Sequence, residues 1–319
     1  MAIERTLVNI YPCALERSIT GDIISMIRVM PELSSELKIV AANIYALTPE
    51  LADDFVLSLL PRETEEENKI REAFKRSLLD EESFDQSRYN LRRIFHLVIE
   101  GESAVARIAK LMGETRKRNG VTIRGRYGFL RRDEANNVLS SEFPASAPLN
   151  RQEAELQLET FWKKHRSCAG PLKDAIKYSD EEKELVERSV VIVKPNTFNN
   201  PHDPRLGNVI DAVSRAGAYI ISAKVQLPTK EQMRKFYAAH QGKHFFDGLV
   251  DFMSSDKSLA LLYEGVEARQ KIREAALSVV RGAYSDSKLE NTVHTSETEE
   301  DFLRECEALQ FEENNPQID

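Results

Sequence analysis

His294 sits in the string Asn-Thr-Val-His-Thr-Ser-Glu (residues 291–297), and Glu305 follows it by eleven residues. A histidine alone is usually structural or a surface residue. Here the string reads as a short strand, and Glu305 falls in a following helix that packs back toward it. A carboxylate holding one ring nitrogen sets the tautomer and leaves the other nitrogen as a nucleophile near neutral pH. Asn291 and Ser296 flank the histidine. The same half of the chain carries Lys194 at the end of an apolar run, with Arg273 and Arg281 further on. Singly these are ordinary surface charges. Together, at the ends of elements, they form an anion pocket in which arginine acts as a two-pronged donor and lysine as a point charge. A nucleophilic imidazole beside such a pocket suits phosphoryl transfer, which depends mainly on positioning and charge neutralisation. Tyr237, Phe245 and Phe246 read, by themselves, as core aromatics.

The elements that must position these residues occur twice. Glu-Arg-Thr-Leu-Val-Asn-Ile-Tyr-Pro from Glu4 matches Glu-Arg-Ser-Val-Val-Ile-Val-Lys-Pro from Glu187. Five further matches follow in order, starting at Gly21 and Gly207, Lys38 and Tyr219, Leu97 and Leu261, Thr122 and Val279, and Asn136 and Asn291. This is a tandem duplication. Each half reads as a β-branched strand ended by proline (Thr6 to Ile10; Val190 to Val193) and then a helix with apolar spacing (Ile23, Ile24, Ile27; Val209, Ile210, Val213). A second strand, a helix capped by Thr48 or Thr229, a third strand ending in Glu-Gly, another helix and a short fourth strand near Val138 or Val293 complete the unit. The order is βαββαβ, so the expected class is α+β: two ferredoxin-like domains with antiparallel sheets. A terminal helix closes each half (Gln152 to Lys164; Thr298 to Leu309). The expected domains are 1–168 and 187–319, joined by a linker at 169–186 that begins near Gly170-Pro171. Residues 61–92 form a polar insert, rich in Glu63, Glu65, Glu66 and Glu67, and read as a solvated helical excursion or a partner surface.

Composition narrows the partners. The 319 residues hold 52 Asp and Glu against 44 Lys and Arg, a net charge of -8. That balance argues against a general nucleic-acid or anionic-membrane binder, which needs a basic surface. An apolar fraction of 41% is enough for real cores. Cys13, Cys168 and Cys306 are far apart with no Cys-x-x-Cys pair, which excludes a thiolate zinc site and suits free thiols in a reducing compartment. The N-terminus lacks the pattern of a secretory signal, and no apolar stretch approaches a membrane span. A cytoplasmic protein is expected.

The second half, from about Glu187 to Phe311, resembles the nucleoside diphosphate kinases. The resemblance rests on Val-Ile-Val-Lys-Pro-Asn (191–196), Phe-Tyr-Ala-Ala-His-Gln-Gly-Lys-His-Phe-Phe-Asp-Gly-Leu-Val (236–250), Phe-Met-Ser-Ser (252–255), Glu264-Gly265, Val280-Arg281-Gly282, and the string around His294. It implies a kinase that moves the γ-phosphoryl group of a nucleoside triphosphate to a nucleoside diphosphate through phosphohistidine at His294. It also implies that Lys194, Tyr237, Arg273, Arg281 and Asn291 contact phosphates and ribose. Phe245 would stack on the base with Leu249 beside it, and Ser296 and Glu305 would orient the histidine. Mg²⁺ would bridge the nucleotide phosphates, and a homo-oligomer or intramolecular pairing of the halves is implied. The sequence departs from the family pattern at Glu297, where aspartate is usual, at Val279, where a threonine is usual, and in a short segment before Arg281. These departures leave a second reading open, a catalytically weak or inactive nucleotide-binding scaffold.

The first half is a worn copy. Tyr11 stands where Lys194 stands, Val56 where Tyr237 stands, and Ala109 where Arg273 stands; the string match puts Leu139 at the histidine position. Leucine has no nucleophilic atom. His96 is the one local substitute, and it lies away from the motif.

Overall fold

The apolar run that follows Arg5 forms β1 (Ile3–Ile10), whose last five residues are buried. Pro12 stops it and opens α1 (Pro12–Glu16), followed by α2 (Thr20–Val29), β2 (Lys38–Ala46) and α3 (Pro49–Ser58). The Thr48 side chain accepts from Leu51 N and caps α3. Next come α4 (Glu65–Leu79), β3 (Arg93–Glu102), α5 (Ala104–Met112), α6 (Ile123–Tyr127), β4 (Phe129–Arg132), β5 (Val138–Glu142), β6 (Ala145–Ser146) and α7 (Arg151–Glu159). A π-helical turn, Thr160–Lys164, extends α7. The short α8 (Asp180–Lys183) lies before the second half. That half comprises β7 (Val186–Val193), α9 (Pro195–Phe198), α10 (Arg205–Arg215), β8 (Tyr219–Gln226), α11 (Lys230–Phe236), α12 (Phe246–Met253), β9 (Ser258–Val266), α13 (Ala268–Ala275), β10 (Val293–Thr295) and α14 (Glu299–Leu309). This computed structural model describes residues 3–29, 37–79, 87–113, 120–135, 137–200, 203, 205–276 and 292–311.

Each half folds around a four-stranded antiparallel sheet, ordered β2-β3-β1-β6 in the first and β8-β9-β7-β10 in the second. The duplication extends to detail. β2 and β8 shift register against their partners at the same place, between Ile39 and Ala41 and between Ile220 and Ser222. Ser103 and Glu267, just ahead of α5 and α13, both take a left-handed conformation at φ 53°.

Two expectations are corrected. The strand near Val138 does not join the main sheet; β5 pairs with β4 in a separate hairpin, and β6 takes the edge beside β1. Cap spacing explains it. His294 lies four residues before Thr298, the cap of α14, and Ser146 lies four before Asn150, the cap of α7. Leu139 lies eleven residues before that cap, seven too early for the position. The insert is likewise not a solvated excursion. Ile70, Ala73, Phe74 and Leu78, at helical spacing on α4, are all buried, and the glutamates occupy the outer face.

The halves share a core that runs through residues of both. Residues 169–172 thread between β2 and β8: Gly170 N donates to Ile44 O at 2.7 Å and Leu172 N to Ile221 O at 3.0 Å. A Cβ on Gly170 would stand 2.3 Å from Ile221 O, so only glycine fits. The buried Arg93 donates to Ile220 O at 2.7 Å, and its guanidinium lies 5.3 Å from the Tyr89 ring and 5.6 Å from the Tyr219 ring. Helices α2 and α10 cross at Gly21 and Gly207, and Asp211 accepts from Gly21 N at 2.7 Å and Asp22 N at 2.9 Å.

Candidate active site

β10 forms the edge of the second sheet, with His294 opposite Ile192 on β7. Strand alternation buries Val293 and Thr295 and turns His294 the other way, where it is partly exposed. α14 then returns over the strand and delivers Glu305, which is 2% exposed. His294 Nε2 lies 2.8 Å from Glu305 Oε1, and Ser296 Oγ donates to Glu305 Oε2 at 2.6 Å. Ser296 is itself held by β7: its Oγ accepts from Val190 N at 3.0 Å, and its N donates to Val190 O at 3.1 Å. An ionised carboxylate only accepts, so Nε2 carries the proton and Nδ1 the lone pair. Nδ1 has no hydrogen-bond partner among the described residues. The sequence reading left open which nitrogen the carboxylate holds; the geometry settles it as Nε2.

Two aromatic rings frame the imidazole edge-on, Phe236 at 4.9 Å and Tyr237 at 5.5 Å between centroids. Lys194, 5% exposed, caps α9 directly after β7, and its backbone N donates to Thr292 O at 3.1 Å. The lysine is thereby tied to the segment that carries His294. Its Nζ lies 6.0 Å from the Phe252 ring. Arg273, on α13, pairs with Glu297 three residues after His294, so the odd acid of the motif holds one of the cations. Phe245 stands at the start of α12, half-buried, with Lys243 Nζ 5.9 Å from its ring. Leu249, one turn on, is buried in the core beneath it. Arg281, Asn291 and Val279 lie outside the described residues.

Sequence reasoning gave no role to His240, Lys243 or Phe236, although all three fall within the string 236–250. His240 lies nearly parallel to Tyr237, 6.1 Å away, and Lys243 Nζ lies 3.0 Å from His240 Nδ1. Burial and the Lys243 charge lower the His240 pKa, so it stays neutral at pH 7. The i, i+3 spacing of Tyr237, His240 and Lys243 was the signal that could have found them.

Among its described residues the first half has no such arrangement. Ser146 faces Asn9 as His294 faces Ile192, so Ser146, not Leu139, occupies the histidine position. Leu139 is half exposed on the separate hairpin. His96 is fully buried with both nitrogens engaged. Trp162 Nε1 donates to its Nε2 at 2.8 Å, and its Nδ1 meets Asn9 Oδ1 at 2.7 Å. Burial lowers its pKa to about 3, which keeps it neutral. It has no nitrogen left for nucleophilic work.

Comparison with known proteins finds one family in both halves. The family profile for nucleoside diphosphate kinase matches residues 4–161 and 187–315. A nucleoside diphosphate kinase of Staphylothermus marinus is 33% identical over 132 residues, covering 39% of this chain and 92% of that protein. The solved nucleoside diphosphate kinase of Aquifex aeolicus is 29% identical, with 39% of this chain and 94% of that one covered and a TM-score of 0.35. A halophilic nucleoside diphosphate kinase of Halobacterium salinarum, solved in complex with CDP, is 27% identical, with 41% and 91% covered and a TM-score of 0.36.

Proposed function

The chain belongs to the nucleoside diphosphate kinase family, and we propose that its second half carries the kinase activity, with His294 as the group that receives and passes on the phosphoryl unit. The supporting observation is the 2.8 Å contact of Nε2 with Glu305, which leaves Nδ1 open. Nδ1 attacks the γ-phosphorus of a bound nucleoside triphosphate. The N–P bond forms as the bond to the β,γ-bridging oxygen breaks, and the diphosphate leaves with that electron pair. The imidazole becomes cationic while Nε2 keeps its proton, and the Glu305 carboxylate 2.8 Å away offsets that charge. A second nucleoside diphosphate then attacks phosphorus through its terminal oxygen, and His294 is restored.

Lys194, Arg273, Arg281 and Asn291 hold the phosphates, and Tyr237 lies beside the reacting ring. Phe245 offers a π-face to the base, which tolerates base identity, and Leu249 supports it. Family members generally use a divalent metal. The groups around His294 are ammonium, guanidinium, imidazole and phenol, a set that suits phosphate oxygens better than a protein metal cage. Mg²⁺ carried on the nucleotide fits this site, and when bound it shields the charge of the phosphates.

The first half, residues 1–168, serves as a structural or regulatory partner of residues 187–319 across the linker at 169–186, with the halves paired in one chain; further assembly into a homo-oligomer is compatible with this. No helix among the described residues is long and apolar enough to cross a membrane, and we place the protein in the cytoplasm. Incubation with ATP and Mg²⁺, removal of nucleotide and mass spectrometry of intact peptides test the reading: an acid-labile phosphate on His294 is expected.

A further inference from the structure

Register and cap spacing match Tyr11 and Ser146 of the first half to Lys194 and His294 of the second, and the repeated strings that begin at Thr122 and Val279 match Arg124 to Arg281. In the first half these positions close on one another. The Tyr11 hydroxyl and Ser146 Oγ are 2.6 Å apart, and Tyr11 is 3% exposed. The Arg124 guanidinium lies 4.9 Å from the centroid of Phe143, just ahead of β6. α4 completes the closure. It follows α3 in chain order as α12 follows α11, but it spans fifteen residues against eight. From it Phe74 meets Tyr11 edge-on at 5.2 Å and Phe143 at 5.0 Å. Phe55, the counterpart of Phe236, lies 6.4 Å from Tyr11. The outer side of α4 is fastened by Arg132 to Glu66 at 2.8 Å.

We infer that α4 is a built-in plug: this helix fills the cleft that in the second half lies between His294, Lys194 and α12, and so the first half has exchanged a nucleotide site for a small aromatic core. The identity of the excluded ligand rests on the proposed function above, while the filling of the cleft does not. A lysine at position 11 would need a phosphate or other counter-charge in that enclosure, whereas tyrosine supplies ring surface and a hydroxyl that Ser146 satisfies. The apolar stripe of α4 then finds its partner inside its own domain, and the acidic outer face points to solvent.

Two measurements on the full-length chain test this. In hydrogen exchange without nucleotide, the amides of α4 from Ile70 to Leu78 should exchange as slowly as those of α3. Phe74→Ala should speed both by on the order of a hundredfold and leave β7 and α14 unchanged. Should Phe74→Ala unfold the first half, Phe74→Leu keeps most of the bulk and should give the smaller acceleration. Fast exchange of α4 in the wild-type chain overturns the plug. In the second measurement, equilibrium dialysis with Mg·ADP should find one nucleotide per chain and, for Lys194→Ala combined with Phe245→Ala, close to none. Two per chain, or one retained in the double variant, overturns the plug. None in the wild-type chain contradicts the kinase reading instead, and the exchange data still decide the plug.

Discussion

The Cβ that Gly21 lacks would stand 1.9 Å from the carbonyl oxygen of Gly207, and the Cβ that Gly207 lacks would stand 1.9 Å from that of Gly21. The two glycines are repeat equivalents, so the crossing of α2 and α10 is a local two-fold contact inside one chain. The atoms opposed are backbone, which cannot rotate away. Gly21→Ala or Gly207→Ala must therefore separate the helices. The expected cost is about 2 kcal/mol of stability, read by urea unfolding. A neutral effect of either substitution contradicts the close approach.

Asp211, which closes that crossing, has its carboxyl pKa raised from 3.8 to about 6, mainly by burial. As pH falls from about 6 toward 4 the folded protein takes up a proton that the unfolded chain does not, so this group adds stability on acidification. His96 acts in the opposite sense. Its pKa is about 3 in the folded protein against 6.5 unfolded, so stability is lost as pH falls through that range. Each contributes about 1.4 kcal/mol per pH unit within its window. Asp211→Asn removes one of the two and should make stability fall more steeply between about pH 6 and 4 than in the wild-type protein. Parallel curves in urea titrations at several pH values would count against a buried, protonating Asp211.

In the proposed mechanism Glu305 acts on the reaction through His294 and not through substrate. Glu305→Gln keeps the volume and removes the charge that offsets the phosphorylated ring. Turnover should drop on the order of a hundredfold with nucleotide KM little changed. A parallel loss in KM would place Glu305 in nucleotide binding instead. Ser296→Ala, which removes one of the two donors to that carboxylate, should give a smaller drop in turnover of the same kind.

Restoring a histidine to the first half should not restore a site. Ser146→His introduced into a His294→Ala chain places imidazole at the equivalent register position, yet Tyr11 and Phe74 already fill the space before it. No phosphate should appear on that histidine after incubation with ATP and Mg²⁺. Labelling there would show an open cleft.

What the sequence revealed followed the range of its signals. His294, Ser296 and Glu305 were legible because a strand, a turn and one helix hold them within twelve residues, and local spacing is enough to bring them together. The antiparallel sheets and the first three strands of each half followed from apolar runs repeated in both, whereas the edge strand of the first half proved to be β6 and not the run near Val138. Ser146 was missed because the letters Asn-Asn-Val-Leu-Ser-Ser-Glu resemble the motif, whereas the position is set by the distance to the cap of the next helix. The buried stripe of α4 was present at helical spacing, but the run of Glu63 to Glu67 dominated its composition. The meeting of Gly21 with Gly207 joins residues 186 apart, and the repeat marked them as equivalent without placing them in contact. The orientation of the imidazole needed coordinates, since either nitrogen could have faced the carboxylate.

The most direct test is the fate of the γ-phosphoryl group. The wild-type chain, incubated with γ-labelled ATP and Mg²⁺ and freed of nucleotide, should carry one acid-labile phosphate, on Nδ1 of His294. Added GDP should remove it as GTP, and His294→Ala should abolish both steps. A stable label elsewhere, or transfer to GDP that persists in His294→Ala, would contradict the account.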